Sequence, residues 1–365
     1  MYKKILISGG WGYRNLGDDS ILLATIDLLR NRFPEAELIV TSYCVNDTKE
    51  IIGNTSNIKI IPSFYRLIFN SLYETKYYGK KTKLFSEKSK LNKILIKLSK
   101  KIEIYIVYIN LYLLKIDLFE KLILRKLSKN VNYKNIKNNV DLFIMSGGGY
   151  FNESWNSSFI SHYLELKFVK KNNIKSVLIG QTIGPFNSKI CRRLAYSCMS
   201  GCSSIMVRDL DSYNELDSLG IKVEKSIIPD LVLSKNFKTN NKNNILTFIV
   251  FGEYINEKKK DLLETFKLVE RDLGYKVVIS ISQSWKGPIE NAKLLNNYLN
   301  ENGCSSSLLI PRNHKELEEL LSTSKVVISQ NLHGLILAWR NNSSIIALND
   351  RRKFKTFMDI IEKPQ

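Results

Sequence analysis

One histidine stands where proton transfer would be most useful. The 365-residue chain has three histidines, and His333 lies in the sequence SQNLHG, which closes an apolar strand-like run and opens a helix-like one. An imidazole has an unperturbed pKa of about 6.5, which suits proton transfer near neutral pH. His162 lies inside a helical pattern and His314 in a helix-capping turn, so structural or surface roles are expected for both. We therefore predict that His333 is the catalytic histidine.

A glycine-rich turn, GGWGYRNLGDD, follows the first apolar run of the chain and spans residues 9–19. Glycines allow a tight turn and a close approach of a ligand to the backbone. The helix expected after the turn presents free N–H groups and a partial positive charge at its N-terminus. Either Asp18 or Asp19 is predicted to cap this helix, which leaves the other carboxylate to meet a hydroxyl group of a ligand.

Two further motifs also end predicted strands. Three consecutive glycines follow Ser146, and they suit backbone contact with a ligand better than a plain turn requires. Arg208 follows the apolar run IMV and so emerges at a strand terminus, where a guanidinium is a good partner for a carboxylate or phosphate. The alternative is that Arg208 forms an ion pair with Asp209 or Asp211.

Several classes of protein are disfavoured by the sequence. The first turn is not the GxGxxG dinucleotide fingerprint, and no acidic residue ends the second strand, so a nicotinamide cofactor is not expected. No metal-ligand cluster is visible. The five cysteines lack CxxC spacing and no secretion signal precedes them, so reduced thiols in a cytoplasmic protein are expected. Cys198 and Cys202 lie four residues apart, and burial as small apolar residues is favoured over half a metal site.

Strand-like and helix-like runs alternate along most of the chain, which predicts parallel sheets covered by helices. We expect seven strands in an N-terminal domain over residues 1–235 and five in a C-terminal domain over residues 245–365. The polar stretch 236–244 is the predicted linker. The predicted fold class is α/β, with two doubly wound, Rossmann-like domains, and this organisation resembles the GT-B arrangement of sugar-processing enzymes. In such sheets ligands bind beyond the carboxyl ends of the strands, where the motifs above lie.

A basic helical insertion is predicted in the first domain, at about residues 64–139. Residues 66–139 contain eighteen Lys or Arg and five Asp or Glu, so this segment holds most of the net charge of +20. Its apolar run at 102–114 is too short to span a bilayer but suits an amphipathic helix on an anionic membrane surface. Packing of the insertion against its own domain is the alternative. No nucleic-acid-binding signature accompanies the charge, so a nucleic acid is not expected as a partner.

Together the motifs resemble the polysaccharide pyruvyl transferase family. That family shows, in order, GxxNxGD, GGG, GQxIGP, R-D-x-x-S, Pro-Asp and R-L-H. The corresponding residues here are Gly12 to Asp18, Gly147 to Gly149, Gly180 to Pro185, Arg208 to Ser212, Pro229-Asp230 and Asn331-Leu332-His333. The similarity in order and spacing covers nearly the whole chain apart from the basic segment.

The resemblance implies an enzyme that transfers a pyruvyl group from phosphoenolpyruvate to a sugar, forming a ketal. The sugar would belong to a surface polysaccharide or its lipid-linked precursor, and no metal or cofactor would be needed. His333 and Asp18 are the implied catalytic residues, His333 in proton transfer and Asp18 in hydroxyl binding or as a base. The implied substrate-binding residues are Gly10, Asn15, Gly17, Gly148, Gly149, Gln181, Arg208, Asn331 and Lys353.

One position departs from the family pattern, because Asn331 stands where the family has arginine. An amide can hydrogen-bond to a carboxylate but cannot neutralise its charge. Compensation would have to come from a nearby cation, and the sequence offers four: Arg340, Arg351, Arg352 and Lys353. If the acceptor is lipid-linked, the basic segment would hold the enzyme at the inner face of the membrane.

Two other functions remain open from the sequence. A GT-B glycosyltransferase that uses a nucleotide sugar would share the architecture, and fold alone does not decide function. A non-catalytic scaffold of capsule assembly would keep the fold without the reaction.

Overall fold

The computed structural model describes residues 2–53, 55–65, 67, 121, 124–125, 129–234, 241–252, 255–349 and 352–362. The chain forms two compact units. Unit 1 comprises Met1–Tyr13 and Thr25–Asp230, and unit 2 comprises Arg14–Ala24 and Leu231–Gln365. The predicted N-terminal domain, residues 1–235, includes Arg14–Ala24, whereas the structure groups this segment with the C-terminal residues.

Unit 1 is built on a seven-stranded parallel sheet. Its strands are β1 (Lys4–Ser8), β2 (Glu37–Ser42), β3 (Ile58–Pro62), β4 (Leu142–Ser146), β5 (Lys175–Gln181), β6 (Ser204–Val207) and β7 (Glu224–Ile227). They pair in the order β3-β2-β1-β4-β5-β6-β7. The direction of winding reverses between β1 and β4, which makes this the topological switch point of the sheet.

The two strands at the switch point are apolar in all but their terminal residues. Ile5, Leu6 and Ile7 of β1 are fully buried, and every residue of β4 is buried. Continuous apolar runs of this kind are typical of parallel strands that are covered on both faces by helices. The register pairs Ile5 with Leu142 and Ser8 with Met145, so both strands end at the same edge.

The helices described around this sheet are α1 (Leu16–Arg32), α2 (Val45–Ile52), α3 (Val131–Asn139), α4 (Asn156–Lys171), α5 (Lys189–Met199) and α6 (Leu210–Ser218). The boundary between the two units falls inside α1. Cys198 on α5 and Cys202 after it are buried free thiols, as predicted. Burial raises the pKa of the Cys198 thiol and raises that of Cys202 to about 12, so neither is a reactive thiolate at neutral pH.

Unit 2 is built on a five-stranded parallel sheet. Its strands are β8 (Asn243–Val250), β9 (Lys276–Ile281), β10 (Ser306–Leu309), β11 (Ser324–Ser329) and β12 (Ser344–Ala347). They pair in the order β10-β9-β8-β11-β12, with the switch point between β8 and β11. The helices are α7 (Ile255–Leu273), α8 (Lys286–Glu301), α9 (His314–Thr323), α10 (Leu332–Arg340) and α11 (Arg352–Glu362).

Each unit is therefore a doubly wound α/β structure, and the predicted fold class and the seven and five strands are confirmed among the described residues. At the start of α9, the Asn313 side chain accepts a hydrogen bond from Glu316 N at 3.1 Å, and Glu316 Oε2 accepts one from Arg312 N at 2.9 Å. Within the predicted linker, residues 236–240 lie outside the described residues, and Asn243 already belongs to β8.

Most of the basic segment, including its apolar run at 102–114, also lies outside the described residues. Its end is described, and it forms α3 at the amino-terminal side of β4. Among the helices that the structure describes, none has the length and apolar character needed to cross a membrane. The proposed contact of residues 102–114 with a membrane surface remains a prediction from charge and periodicity.

Candidate functional site

The first glycine-rich turn leads into α1, and Asn15 caps this helix. Asn15 Oδ1 accepts a hydrogen bond from Gly17 N at 3.2 Å, and Asn15 Nδ2 donates one to Asp18 Oδ2 at 2.7 Å. The cap is thus Asn15, and not Asp18 or Asp19 as predicted. Both aspartates are buried within the first turn of α1, where the helix dipole favours a carboxylate.

The backbone on either side of Asn15 is fixed to the end of β9. Leu16 N donates to Ser282 O at 3.1 Å, and Ser284 N donates to Arg14 O at 2.8 Å. Between these bonds, Asn15 forms an antiparallel bridge with Gln283. These contacts explain why the start of α1 belongs to unit 2, although it follows the first strand of unit 1 in sequence.

His333 lies in the first turn of α10, immediately after β11, and is half-buried. Asn331 caps α10, because its Oδ1 accepts hydrogen bonds from His333 N at 3.0 Å and Gly334 N at 3.3 Å. Ser329 Oγ in turn accepts a hydrogen bond from Asn331 N at 3.0 Å. The imidazole is therefore carried on a hydrogen-bonded strand–helix junction at the switch point of the five-stranded sheet.

Gly17 lies directly against the His333 side chain. A Cβ atom at position 17 would overlap Cβ, Cγ and Nδ1 of His333, so only glycine fits without displacing the ring. The N-termini of α1 and α10 consequently meet at this contact, within unit 2. Two helix N-termini and a half-buried imidazole suit an anionic ligand and a proton transfer.

At the switch point of unit 1 the glycines surround an aromatic ring. A Cβ atom at Gly10 or at Gly148 would overlap the ring of Tyr150, which is half-buried. The space that these two glycines were predicted to leave for a ligand is thus occupied by Tyr150. Gly149 differs, because the nearest atom to an added Cβ would be Thr182 Cβ at 3.8 Å. Gly149 is half-buried, and its carbonyl oxygen accepts a hydrogen bond from Asn152 Nδ2.

Arg208 is held in a network of the chain's own polar groups. Its Nη1 lies 2.8 Å from Asp230 Oδ2, and its Nε donates to Thr182 Oγ1 at 2.6 Å. The side chains of Arg208 and Asp230 are only 9% and 6% exposed. Arg208 therefore forms an ion pair as the alternative prediction held, but its partner is Asp230 and not Asp209 or Asp211. The Asp209 side chain caps α6, where it accepts a hydrogen bond from Ser212 N at 2.7 Å.

Gln181 supports the same end of the sheet. It is fully buried, and its Nε2 donates to Met145 O at 3.2 Å. Thr182 N donates to Gly148 O at 2.9 Å, which ties the segment after β5 to the glycine turn after β4. The R-D-x-x-S, GQxIGP and Pro-Asp motifs thus form one connected structure in unit 1.

A family model described as polysaccharide pyruvyl transferase matches residues 15–342, nearly the whole chain. The chain belongs to the polysaccharide pyruvyl transferase family. It is therefore an enzyme of the transferase class. The matched region begins at Asn15, the cap of α1, and ends just after α10, so it includes both helices that meet at His333.

Solved structures of other enzymes share the fold of this pyruvyl transferase family member. UDP-GlcNAc 2-epimerase from Methanocaldococcus jannaschii has a TM-score of 0.55 at 12% identity, covering 97% of this chain and 86% of its own. The enzyme from Neisseria meningitidis, bound to UDP-GlcNAc, has a TM-score of 0.55 at 13% identity, with coverage of 99% and 92%. No individual curated protein matches the chain. At these identities the similarity shows the fold alone.

Arg340 does not take the place of the arginine that the family pattern has at position 331. Arg340 is buried on α10, donates to Val232 O at 3.3 Å and forms an ion pair with Glu318. Lys353 is exposed at the start of α11, where its Nζ lies 5.8 Å from the centroid of the Phe354 ring. Arg351 lies outside the described residues. Asn331 itself serves as a helix cap, a role that its place before a helix could have indicated.

One feature of the site was missed from the sequence. Tyr150 directly follows the three glycines, and an aromatic residue in that position was the available signal. The resemblance to the family placed Gly17 and His333 in one site, and the structure shows them in contact, although nothing local in the sequence indicates that the contact is so close.

Proposed function

We propose that this enzyme transfers a pyruvyl group from phosphoenolpyruvate to two hydroxyl groups of a saccharide, forming a cyclic ketal, with His333 as the proton-transfer residue. The observation that carries the proposal is the contact of Gly17 with His333, which brings the family's first and last motifs together at two helix N-termini. Family membership supports a saccharide acceptor.

The donor carries a carboxylate and a phosphate, and both need positive partners. The N-termini of α1 and α10 supply partial positive charge where they meet. Because Asn331 provides no charge, these dipoles and a protonated His333 carry more of the anion binding than they would beside an arginine. Lys353 and Arg208 are weaker contributors in this account, since Lys353 is exposed and Arg208 is paired with Asp230.

The reaction requires one proton to be added to carbon and two to be removed from oxygen. Protonated His333 donates a proton to the CH₂ carbon of phosphoenolpyruvate, and the adjacent carbon becomes electrophilic. One sugar hydroxyl attacks that carbon and loses its proton. The second hydroxyl then displaces phosphate and closes the ring, and the proton left over accompanies the phosphate.

Asp18 is the proposed acceptor of a hydroxyl proton or of a hydrogen bond from the sugar. Its carboxylate is buried at the first turn of α1, one residue after Gly17, and Asn15 Nδ2 holds one of its oxygens at 2.7 Å. This hydrogen bond orients the carboxylate, and the helix N-terminus favours its charged form.

Ligand-dependent stability and phosphate release test the proposal together. Phosphoenolpyruvate should raise the melting temperature of the protein, and adding a suitable glycan acceptor should release inorganic phosphate. Stabilisation by a nucleotide sugar such as UDP-GlcNAc, and not by phosphoenolpyruvate, would favour the glycosyltransferase. A folded protein that releases no phosphate with any acceptor would favour the scaffold.

The acceptor is proposed to be a sugar of a surface polysaccharide or its lipid-linked precursor, reached from the cytoplasmic side of the membrane. The support for membrane contact is the concentration of eighteen Lys or Arg in residues 66–139. Flotation with liposomes tests it: the protein should float with vesicles that contain anionic lipid and stay behind with neutral ones. Equal behaviour in both would contradict the membrane contact.

A further inference from the structure

The ring of Tyr150 lies over the ends of two adjacent strands. It fills the space beside Gly10, which follows β1, and beside Gly148, which follows β4. These strands flank the switch point of the seven-stranded sheet, where ligands of doubly wound folds bind. Tyr150 is only half-buried, so part of this residue at the strand ends is accessible to a ligand.

A buried polar group lies beneath Tyr150. The His162 ring centroid is 4.9 Å from that of Tyr150, with the planes inclined by 38°. His162 Nδ1 lies 3.4 Å from Glu165 Oε2, and Ser8 Oγ, at the end of β1, donates to the same oxygen at 2.5 Å. His162 and Glu165 are 2% and 1% exposed, so this pair is almost fully removed from water.

Such a pair is an unfavourable choice for packing alone. Neither ring nitrogen of His162 meets hydrogen-bond geometry with another described residue, and the same holds for Glu165 Oε1. Apolar residues of similar size would fill this space without the desolvation cost. Buried polar groups that cost stability in this way are concentrated at functional sites. Here the His162–Glu165 pair lies beneath the ring of Tyr150.

The chemistry around Tyr150 fits an uncharged polyol better than an anion. Glu165 places an acidic group beside His162, beneath the ring. Arg208, which is linked to the glycine turn through Thr182, is paired with Asp230. An aromatic face packs well against the C–H groups of a sugar, and a phenol and backbone amides can meet its hydroxyls. The anionic donor is better accommodated by the helix N-termini beside His333.

We propose that Tyr150 is a saccharide-binding residue at the switch point of unit 1 and that His162 is a positioning residue that holds the Tyr150 ring. The inference rests on the proposed function only in taking the ligand of this switch point to be the acceptor sugar. Its test must therefore measure sugar binding separately from pyruvyl transfer.

Saturation-transfer NMR on the full-length protein provides such a test, with the methyl glycosides of glucose, galactose and mannose and with N-acetylglucosamine as probes. Wild type should give a signal with at least one of them. Tyr150→Ala and Tyr150→Leu should reduce that signal about tenfold, the loss expected for an aromatic contact with a ligand. Tyr196→Ala is the matched control, since Tyr196 is 48% exposed on α5 of the same unit and should leave the signal unchanged.

The positioning role of His162 has its own pair of variants. His162→Ala should lower the sugar signal as Tyr150→Ala does, whereas His162→Phe, which keeps a flat ring beneath Tyr150, should restore most of it. If His162 served stability alone, the two variants would differ in melting temperature, but the sugar signal of His162→Ala would not fall below that of His162→Phe. Tyr150→Leu guards against misfolding of the alanine variant.

The proposal is overturned if wild type gives no signal with these sugars, or if folded Tyr150→Ala and Tyr150→Leu bind them as wild type does. It is overturned for His162 if the alanine and phenylalanine variants behave alike. Phosphate release from phosphoenolpyruvate is measured on the same samples. Sugar binding that depends on Tyr150 without any phosphate release would uphold this inference while contradicting the proposed function.

Discussion

The two switch points use their motif residues in opposite ways. In unit 1, the Tyr150 ring fills the space beside Gly10 and Gly148, and Asp230 neutralises Arg208. In unit 2, Gly17 makes room for His333 at the meeting point of two helix N-termini. Glycines after β1 and β4 therefore make room for an aromatic ring in unit 1, and a glycine in the first turn of α1 makes room for a titratable group in unit 2.

This difference separates residues that build the site from residues that act in it. Motif residues of unit 1 hydrogen-bond to one another: Arg208 to Thr182, Thr182 to Gly148 and Gln181 to Met145. We expect their loss to appear first as lost stability. The residues around His333 should instead affect turnover when changed.

The largest expected effect is the loss of stability when Arg208 is replaced. If Arg208 instead bound the anionic substrate, the contrast between the two switch points would fail. Arg208→Ala leaves the buried carboxylate of Asp230 unpaired, so we expect the free energy of unfolding to fall by about 3–5 kcal/mol. Chemical denaturation measures this. The double variant Arg208→Met with Asp230→Leu should recover much of the loss. A stable Arg208→Ala protein that no longer binds phosphoenolpyruvate would assign Arg208 to the ligand.

The next effect concerns His333. Replacement by alanine should lower turnover by about 10² or more, because it removes the proposed proton donor. Phosphate release with a glycan acceptor measures the rate. His314→Ala, which changes another histidine of unit 2 at the start of α9, is the control and should stay close to wild type. Near-normal turnover of His333→Ala would remove His333 from the mechanism.

Gly17 tests whether the contact with His333 matters. Gly17→Ala forces a Cβ into the imidazole, and overpacking of this kind costs about 1–3 kcal/mol. We expect both a lower melting temperature and a lower turnover. Gly287→Ala is a matched control, because Gly287 is also the second residue of a helix, α8, and has no atom within 4 Å of an added Cβ. Equal behaviour of the two variants would show that the contact is not needed.

The smallest expected effect tests whether the Asn331 side chain stabilises α10 as its N-cap. Asn331→Ala removes the acceptor for His333 N and Gly334 N, which should cost about 1 kcal/mol of stability. Asn331→Asp keeps an acceptor at the helix N-terminus and should retain stability. Thermal unfolding of both variants measures the difference. A fully stable alanine variant would mean that the cap contributes nothing.

The sequence was most informative where structure is local. Apolar runs such as ILI in β1 and LFIM in β4 predicted strands because buried parallel strands need them. The candidate residue His333 was found because a lone histidine followed a strand. These features depend on a few neighbouring residues.

Long-range pairing accounts for what was not predicted. Arg208 had acidic neighbours in sequence, yet its ion pair joins it to Asp230 on another segment. The start of α1 was assigned to the first domain, yet its backbone pairs with Ser282 and Ser284 of unit 2. The tertiary fold determines which residue pairs with a charged side chain or with a backbone segment, so spacing along the chain does not reveal the partner.

Mass spectrometry of the acceptor tests the central claim most directly. A saccharide acceptor is incubated in D₂O with phosphoenolpyruvate and with the wild-type or the His333→Ala protein. The account predicts that wild type adds one pyruvyl ketal whose methyl group carries one deuterium from solvent, and that the variant forms this product about 10² times more slowly. No pyruvylated product from folded wild type, or a glycosylated product when a nucleotide sugar is supplied, would contradict it.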